Sequence, residues 1–286
     1  MAKAIMIQGT ASGAGKTMLT LALCRIFMQD GHKAAPFKAQ NMTTNTRFTP
    51  AGEEVAISQW LQALAAGITP TPSTNPVILK PSAKKKATEV ILNGRPFDTV
   101  GAYNFREIKQ KLVPEIMAAY SRLAANHDIV VIEGAGSPVE LNLNKDDIVN
   151  MGMAKRANAP VLLVGDIDRG GVFASLYGTI NLFNETERPL VKATIVNRFK
   201  GEPAYFADGV KILEDITKLP VAGVIPYTEI NLPEEDSLFD NQPVAAADYE
   251  SQFDNIADNV RKSLNMELIY KIINNGVHSP FYRKRL

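Results

Sequence analysis

The 286-residue chain is 45% hydrophobic and 21% charged, and its 31 Lys and Arg balance 30 Asp and Glu to a formal net charge of +1. This is ordinary for a globular protein and excludes a collagen, a coiled-coil rod or a disordered chain. There is no basic excess of the kind that gives nucleic-acid binders their field, and no apolar stretch approaches the ~20 residues that cross a bilayer. Neither nucleic acid nor membrane is therefore expected as a partner. The single cysteine, Cys24, suits a reducing compartment. Met1 to Ile7 runs too soon into a glycine-rich turn to be a signal peptide. A cytoplasmic protein is expected.

Along the chain, short apolar runs alternate with helix-length amphipathic segments. The runs are Ala4 to Gln8, Ala34 to Phe37, Ile129 to Glu133, Val161 to Asp166, Ala193 to Asn197 and Val221 to Ile225. They lack polar alternation, as strands buried on both faces of a parallel sheet do. Helices are predicted over Lys16 to Gln29, Glu53 to Ala66, Phe105 to Ala125, Ile148 to Ala157, Val172 to Phe183 and Tyr205 to Leu219. The alternation predicts an α/β fold, a mostly parallel sheet with helices on both faces. Two segments break the rhythm. Gly67 to Lys86, rich in Pro and Thr and ending in Lys84-Lys85-Lys86, reads as a long loop or flap. Leu232 to Asp248 reads as a linker, Tyr249 to Asn274 as a terminal helix or helix pair with one apolar face, and His278 to Leu286 as a basic tail.

The first strand leads into Gly9-Thr10-Ala11-Ser12-Gly13-Ala14-Gly15-Lys16-Thr17 and then a helix. That is the setting of a phosphate-binding loop, although five residues separate Gly9 from Gly15 where the usual pattern has four before Gly-Lys. Glycines let backbone N–H groups turn onto phosphate oxygens, and the helix N-terminus adds partial positive charge. Gly9, Thr10, Ser12, Gly13, Ala14, Gly15, Lys16 and Thr17 are the nucleotide-binding candidates. Lys16 would reach the outer phosphates and the Thr17 hydroxyl would bind Mg²⁺. Glu133 ends an apolar run, where a carboxylate can hold Mg²⁺ directly or through water, or merely cap a turn. Asp166 and Asp168 end the next run beside Gly170-Gly171.

These stretches resemble the cobyric acid synthases, ATP-dependent amidases of cobalamin biosynthesis. The resemblance rests on Gln8-Gly9-Thr10, Gly15-Lys16-Thr17, Pro36-Phe37-Lys38-Ala39-Gln40-Asn41-Met42, Gln59 to Ala66 and Leu79-Lys80-Pro81. It continues through Glu133-Gly134-Ala135-Gly136-Ser137, Asp147-Ile148-Val149-Asn150-Met151, Gly165-Asp166-Ile167-Asp168-Arg169-Gly170-Gly171, Asn197-Arg198-Phe199-Lys200-Gly201 and Glu234-Glu235-Asp236-Ser237. It covers about residues 4 to 238, and implies a P-loop NTPase-like fold similar to dethiobiotin synthetase. The activity implied is amidation, through an acyl phosphate, of the b, d, e and g carboxylates of a corrinoid a,c-diamide, with ATP and Mg²⁺. On that resemblance Lys16 and Lys38 would neutralise the transferring phosphoryl group. Thr17, Glu54 and Glu133 would surround Mg²⁺; Glu54 could equally be a surface acid in a first helical turn. Gln40, Asn41 and Asn45 would hydrogen-bond the substrate, Asn197 would read adenine, and Asp147 and Asp168 would position substrate or ammonia, or only cap turns.

Such proteins usually carry a fused glutaminase with a Cys–His–Glu triad. Here Cys24 reads as core and His32, His127 and His278 have no partner motif. The expectation is a synthetase domain over 1–238, a linker and helical segment over 239–286, and a glutaminase excised from between them. Ammonia would come from outside, free or from a separate glutaminase subunit, and a homodimer is compatible. Rival readings are an amidase of the a,c carboxylates or of another tetrapyrrole, and a nucleotide-switch ATPase. Switches often carry a lysine just after the first loop glycine, where this chain has Thr10-Ala11.

Overall fold

The apolar runs assemble into one sheet, but they are not the whole β structure. The computed structural model describes residues 2–82, 87–101, 105–142, 147–229, 232 and 246–278. In chain order it has β1 (Lys3–Gly9), α1 (Lys16–Gln29), β2 (Ala34–Phe37), β3 (Gln40–Met42), β4 (Thr46–Phe48), β5 (Glu54–Ala56), α2 (Ile57–Ala65), β6 (Val77–Ser82), β7 (Ala87–Leu92) and β8 (Arg95–Gly101). Then follow α3 (Phe105–Asn126), β9 (Ile129–Glu133), α4 (Met151–Ala157), β10 (Val161–Asp166), α5 (Val172–Leu182), β11 (Val191–Phe199), α6 (Ala207–Thr217), β12 (Val221–Pro226), α7 (Ala246–Ser263) and α8 (Met266–Asn275).

The main sheet has six parallel strands in the order β12-β11-β10-β1-β9-β2. Strand alternation divides its core between two faces. Ala4 and Met6 of β1 join one cluster and Ile5 and Ile7 the other, as do Val130 and Ile132 against Ile129 and Val131 in β9. Residues of α3 to α6 complete the first cluster and residues of α1, α2, α7 and α8 the second. The central β1 is flanked by β9 and β10, so the carboxyl ends of these strands open at the point where an α/β sheet binds ligands. Among the described residues no helix is long and apolar enough to cross a membrane.

Several boundaries differ from the sequence reading. The predicted helix from Glu53 begins only at Ile57, because Glu54–Ala56 pairs antiparallel with β4. The predicted helix from Ile148 starts at Met151, after a turn that Asp147 holds. The segment from Tyr205 splits into a short 3₁₀ turn (Pro203–Phe206) and α6. The larger correction concerns Gly67 to Lys86. Its second half is β6, which pairs parallel with β3 and antiparallel with β7 in a four-stranded sheet, β3-β6-β7-β8. Lys84-Lys85-Lys86 lie outside the described residues, as does Glu234 to Ser237. The β7–β8 hairpin turns on Asn93 and Gly94, both at positive φ, the two-residue connection that Asn-Gly favours.

The apolar stripe of Tyr249 to Ile273 finds its surface within this chain. Phe253, Ala257, Ile269 and Ile272 are fully buried in the same cluster as Leu19, Leu23 and Ile26 of α1. Arg25 of α1 ion-pairs with Glu250 and Asp254 of α7, both at 2.8 Å, and Arg261 reaches back to Asp30 at 2.9 Å. Cys24 is fully buried there, and burial pushes its thiol up, away from the reactive thiolate.

Candidate active site

The loop from Gly9 to Thr17 spans from the end of β1 to the start of α1, and its backbone explains its glycines. Gly13 and Gly15 lie at φ +73° and +100°, in the left-handed region. A Cβ on Gly15 would also sit 2.0 Å from Asn197 Nδ2. That amide donates to the Ala14 carbonyl at 2.9 Å, so the end of β11 braces the loop from beneath. The other amide atom, Asn197 Oδ1, is buried without a hydrogen-bond partner, an acceptor left over beside the loop. A left-handed glycine loop that admits no side chain and a leftover acceptor beside it are compatible with a bound nucleotide. Gly9 is buried, Thr10 half-buried, and Ser12 and Gly13 are exposed at the loop's crest. The Thr10 N–H donates to the Val164 carbonyl at 2.9 Å.

Lys16 Nζ donates to the carbonyls of Ala11 and Gly136, both at 2.9 Å, and so draws the loop toward the turn after β9. That turn is clamped by Asn150, which accepts from the Ala135 N–H at 3.1 Å and donates to the Ala135 carbonyl at 2.7 Å. Gly134 permits this, since a Cβ there would fall 2.3 Å from Asn150 Oδ1.

Glu133 is the electrostatic centre. It is 1% exposed. Its Oε1 accepts from the Thr17 hydroxyl at 2.8 Å and from Lys38 Nζ at 3.0 Å, and its Oε2 accepts from Gln62 Nε2 at 2.6 Å. Burial alone would push this carboxyl up. The Lys38 charge and the hydrogen bonds from Gln62, Thr17 and Lys38 outweigh burial and hold it below the ordinary carboxylate range. Three candidates from distant parts of the sequence, Thr17, Lys38 and Glu133, therefore meet at one carboxylate. Thr17 and Glu133 supply the hard oxygens Mg²⁺ takes, and Mg²⁺ commonly relies on one or two protein ligands plus phosphates. That is compatible with the finding that, among the described residues, no group of three His, Cys, Asp or Glu converges on a metal position.

The other candidates fall elsewhere. Glu54 is buried, but its carboxylate accepts from Lys80 and Thr46, an ion pair of the smaller sheets. Asn41 is 1% exposed, and its Nδ2 donates to Gln59 at 2.9 Å and Ser58 at 3.2 Å, which makes it an interior group rather than a surface ready for substrate. Gln40 is half-buried, with an Oε1 that has no partner. The backbone of Asn45 accepts from the Ile57 N–H at 3.0 Å and ties its turn to α2. Asp147 turns out to be the turn cap: its Oδ1 accepts from the N–H groups of Val149 and Asn150, and its Oδ2 from that of Gly152 at 2.7 Å. Asp168 pairs with Lys200 at 2.6 Å and Asp166 with Arg198 at 3.2 Å on a more exposed edge.

Sequence reasoning gave no site role to Gln59, Gln62 and Asn150, although all three lie in stretches that carry the resemblance. Gln59 and Gln62 carried a usable signal. They are two amides three residues apart on the side of α2 that Ala63 shares, and both are 0% exposed. A buried amide implies a partner to satisfy it.

The family model of the CobQ/CobB/MinD/ParA nucleotide binding domain matches residues 5–239. A cobyric acid synthase of Lachnoclostridium phytofermentans is 52% identical over 242 residues, covering 83% of this chain and 47% of the relative. One from Streptococcus sanguinis is 47% identical over 269 residues, covering 94% of this chain and 52% of the relative. The chain thus spans about half the length of the curated relatives it matches. The solved MinC:MinD cell division complex of Aquifex aeolicus is 15% identical, covers 98% of this chain and 99% of its own, and has a TM-score of 0.47. The parallel sheet, the loop after β1 and the match over residues 5–239 agree: the chain belongs to the CobQ/CobB/MinD/ParA nucleotide binding domain family, in which the relatives it matches at about half identity are cobyric acid synthases.

Proposed function

We propose that the chain is the ATP-dependent synthetase of a corrinoid amidation. It would convert the b, d, e and g carboxylates of cobyrinic acid a,c-diamide to primary amides in cobalamin biosynthesis. The observation that carries the reading is the 52% identity, over 83% of the chain, to a protein named cobyric acid synthase. The cluster of Lys16, Thr17, Lys38 and Glu133 supplies chemistry in keeping with it.

A corrinoid carboxylate oxygen attacks the γ-phosphorus of ATP, the bridging P–O bond breaks, and ADP leaves. Ammonia then adds to the acyl carbon of the acyl phosphate, the acyl C–O bond breaks, phosphate departs with the electron pair, and the nitrogen releases a proton. The protein's part is positioning and charge neutralisation. Lys16 would leave its two loop carbonyls for phosphate oxygens. Lys38 sits at the carboxylate beside Thr17 and offers a second ammonium. Mg²⁺, where Thr17 and Glu133 hold it, supplies neutralisation of phosphate charge. Asn197 would meet the base through its unused acceptor, and Gln40 and Asn45 are the remaining candidates toward the corrinoid. Residues 1–238 act as the synthetase, 239–286 as linker and helical segment, and ammonia comes from outside them, free or from a separate glutaminase subunit.

The test is mass spectrometry of a corrinoid acid incubated with the protein, ATP, Mg²⁺ and ammonium. Stepwise replacement of carboxyl by amide is expected. Glutamine supporting the same rate in place of ammonium would overturn the external source, and an unchanged corrinoid would overturn the activity.

A further inference from the structure

Glu133 is reached by a third residue, Gln62, to which the sequence reading assigned no role. Gln62 is 0% exposed, and every polar atom of its amide is used. Its Nε2 donates to Glu133 Oε2 at 2.6 Å and to the Thr17 carbonyl at 3.3 Å, and its Oε1 accepts from Gln59 Nε2 at 3.3 Å. Gln59 Oε1 in turn accepts from Asn41 Nδ2 at 2.9 Å and from the Ser58 hydroxyl at 3.2 Å.

The direction of this chain follows from charge. A carboxylate only accepts, so the Gln62 amide must turn its N–H₂ toward Glu133. Its oxygen then faces Gln59, whose own N–H₂ must face Gln62, and Asn41 must present its N–H₂ to the Gln59 oxygen. The last oxygen, Asn41 Oδ1, is left buried without a partner, as the structure has it. A buried unpaired acceptor is costly. Its presence here follows from the direction that Glu133 imposes on the three amides.

We propose that Gln62 is the positioning residue of Glu133, and that Gln59 and Asn41 hold the Gln62 amide in the orientation that presents its N–H groups to the phosphate loop. One Glu133 oxygen is thereby tied to α2, and the other stays with Thr17 and Lys38, where a cation at the phosphates would find it. The proposal rests on the nucleotide reading above. Outer partners of metal-binding carboxylates act in this way on affinity.

The experiment is calorimetric binding of ADP to the full chain in EDTA and across a Mg²⁺ titration. For Gln62→Met, ADP affinity in EDTA is expected to match the wild type, while the Mg²⁺ concentration for half-maximal enhancement rises by roughly 10- to 100-fold. Gln59→Met, one link further back, is expected to shift it the same way by less. A loss of ADP affinity equal in EDTA and in Mg²⁺ would mean a merely structural role and overturn the proposal, as would an unchanged Mg²⁺ dependence. Should Gln62→Met not fold, Gln59→Met decides alone: a wild-type Mg²⁺ dependence overturns the proposal. Wild-type protein that binds no ADP under either condition overturns the nucleotide reading itself and the positioning role with it; the variants are informative only when the wild type binds.

Discussion

Strand ends on either side of β1 carry acids and treat them in opposite ways. At the end of β9, Glu133 is enclosed with Lys38, Thr17 and Gln62, and the side chains of its pair with Lys38 are only 1% and 6% exposed. At the ends of β10 and β11, Asp168 pairs with Lys200 across side chains that are 28% and 66% exposed. The two look alike in sequence, each an acid closing an apolar run. Burial separates them. In the interior a lost partner leaves a charge without solvation, whereas at the open edge water replaces it.

The contrast can be broken or sharpened by substitution. The largest effect is expected for Lys38→Met, which leaves Glu133 without its cation. Breaking a buried pair costs about 3–5 kcal/mol, read from the midpoint of urea unfolding. An effect as small as that of a surface pair would erase the distinction. Lys16→Ala comes next. Lys16 donates to the carbonyls of Ala11 and Gly136 at the nucleotide end of the sheet, and ADP affinity should fall by the equivalent of about 1.5–3 kcal/mol, the value of a hydrogen bond to a charged group.

A pH series tests the sign of the interior electrostatics. The Glu133 carboxyl lies below its ordinary value in the folded protein, so its contribution is present above that ordinary value and is lost as pH falls through the lowered one. Without Lys38 the largest influence opposing burial is gone, only the hydrogen bonds from Gln62 and Thr17 still oppose it, and the carboxyl rises. The penalty of Lys38→Met should then be greatest near neutrality. It should shrink by about 1.4 kcal/mol per pH unit as acid protonates Glu133. A penalty constant from pH 7 to 5 would rule this out. The smallest effect is expected for Asp168→Asn at the exposed edge, with the melting temperature unchanged. A clear drop would show that folding depends on this edge as strongly as on the interior.

Much of the fold could be read from the residues, for a physical reason. The six strands of the main sheet are buried on both faces and therefore appear as unbroken apolar runs. The smaller sheet could not be read the same way. β6 contains Lys80 and Pro81, β7 contains Thr88 and Glu89, and the burial of β8 is confined to Val100, so hydrophobicity gives no clear run. Asn93-Gly94 was the available sign of a hairpin. At the site, Lys16, Thr17, Lys38 and Glu133 stand out because charge or a loop pattern marks them. Gln62 does not, since a glutamine in a helix looks like a surface residue until its neighbours are known. Asp147 shows the reverse case, an acid for which a turn cap was the open alternative and whose oxygens accept from backbone N–H groups.

The helix that begins at the phosphate loop takes its outer wall from α7 and α8, which come at the far end of the described chain. The division near residue 238 therefore cuts through one shared core. A protein shortened there would expose a greasy ridge along α1, and its expected fate is self-association in place of a clean, working nucleotide domain.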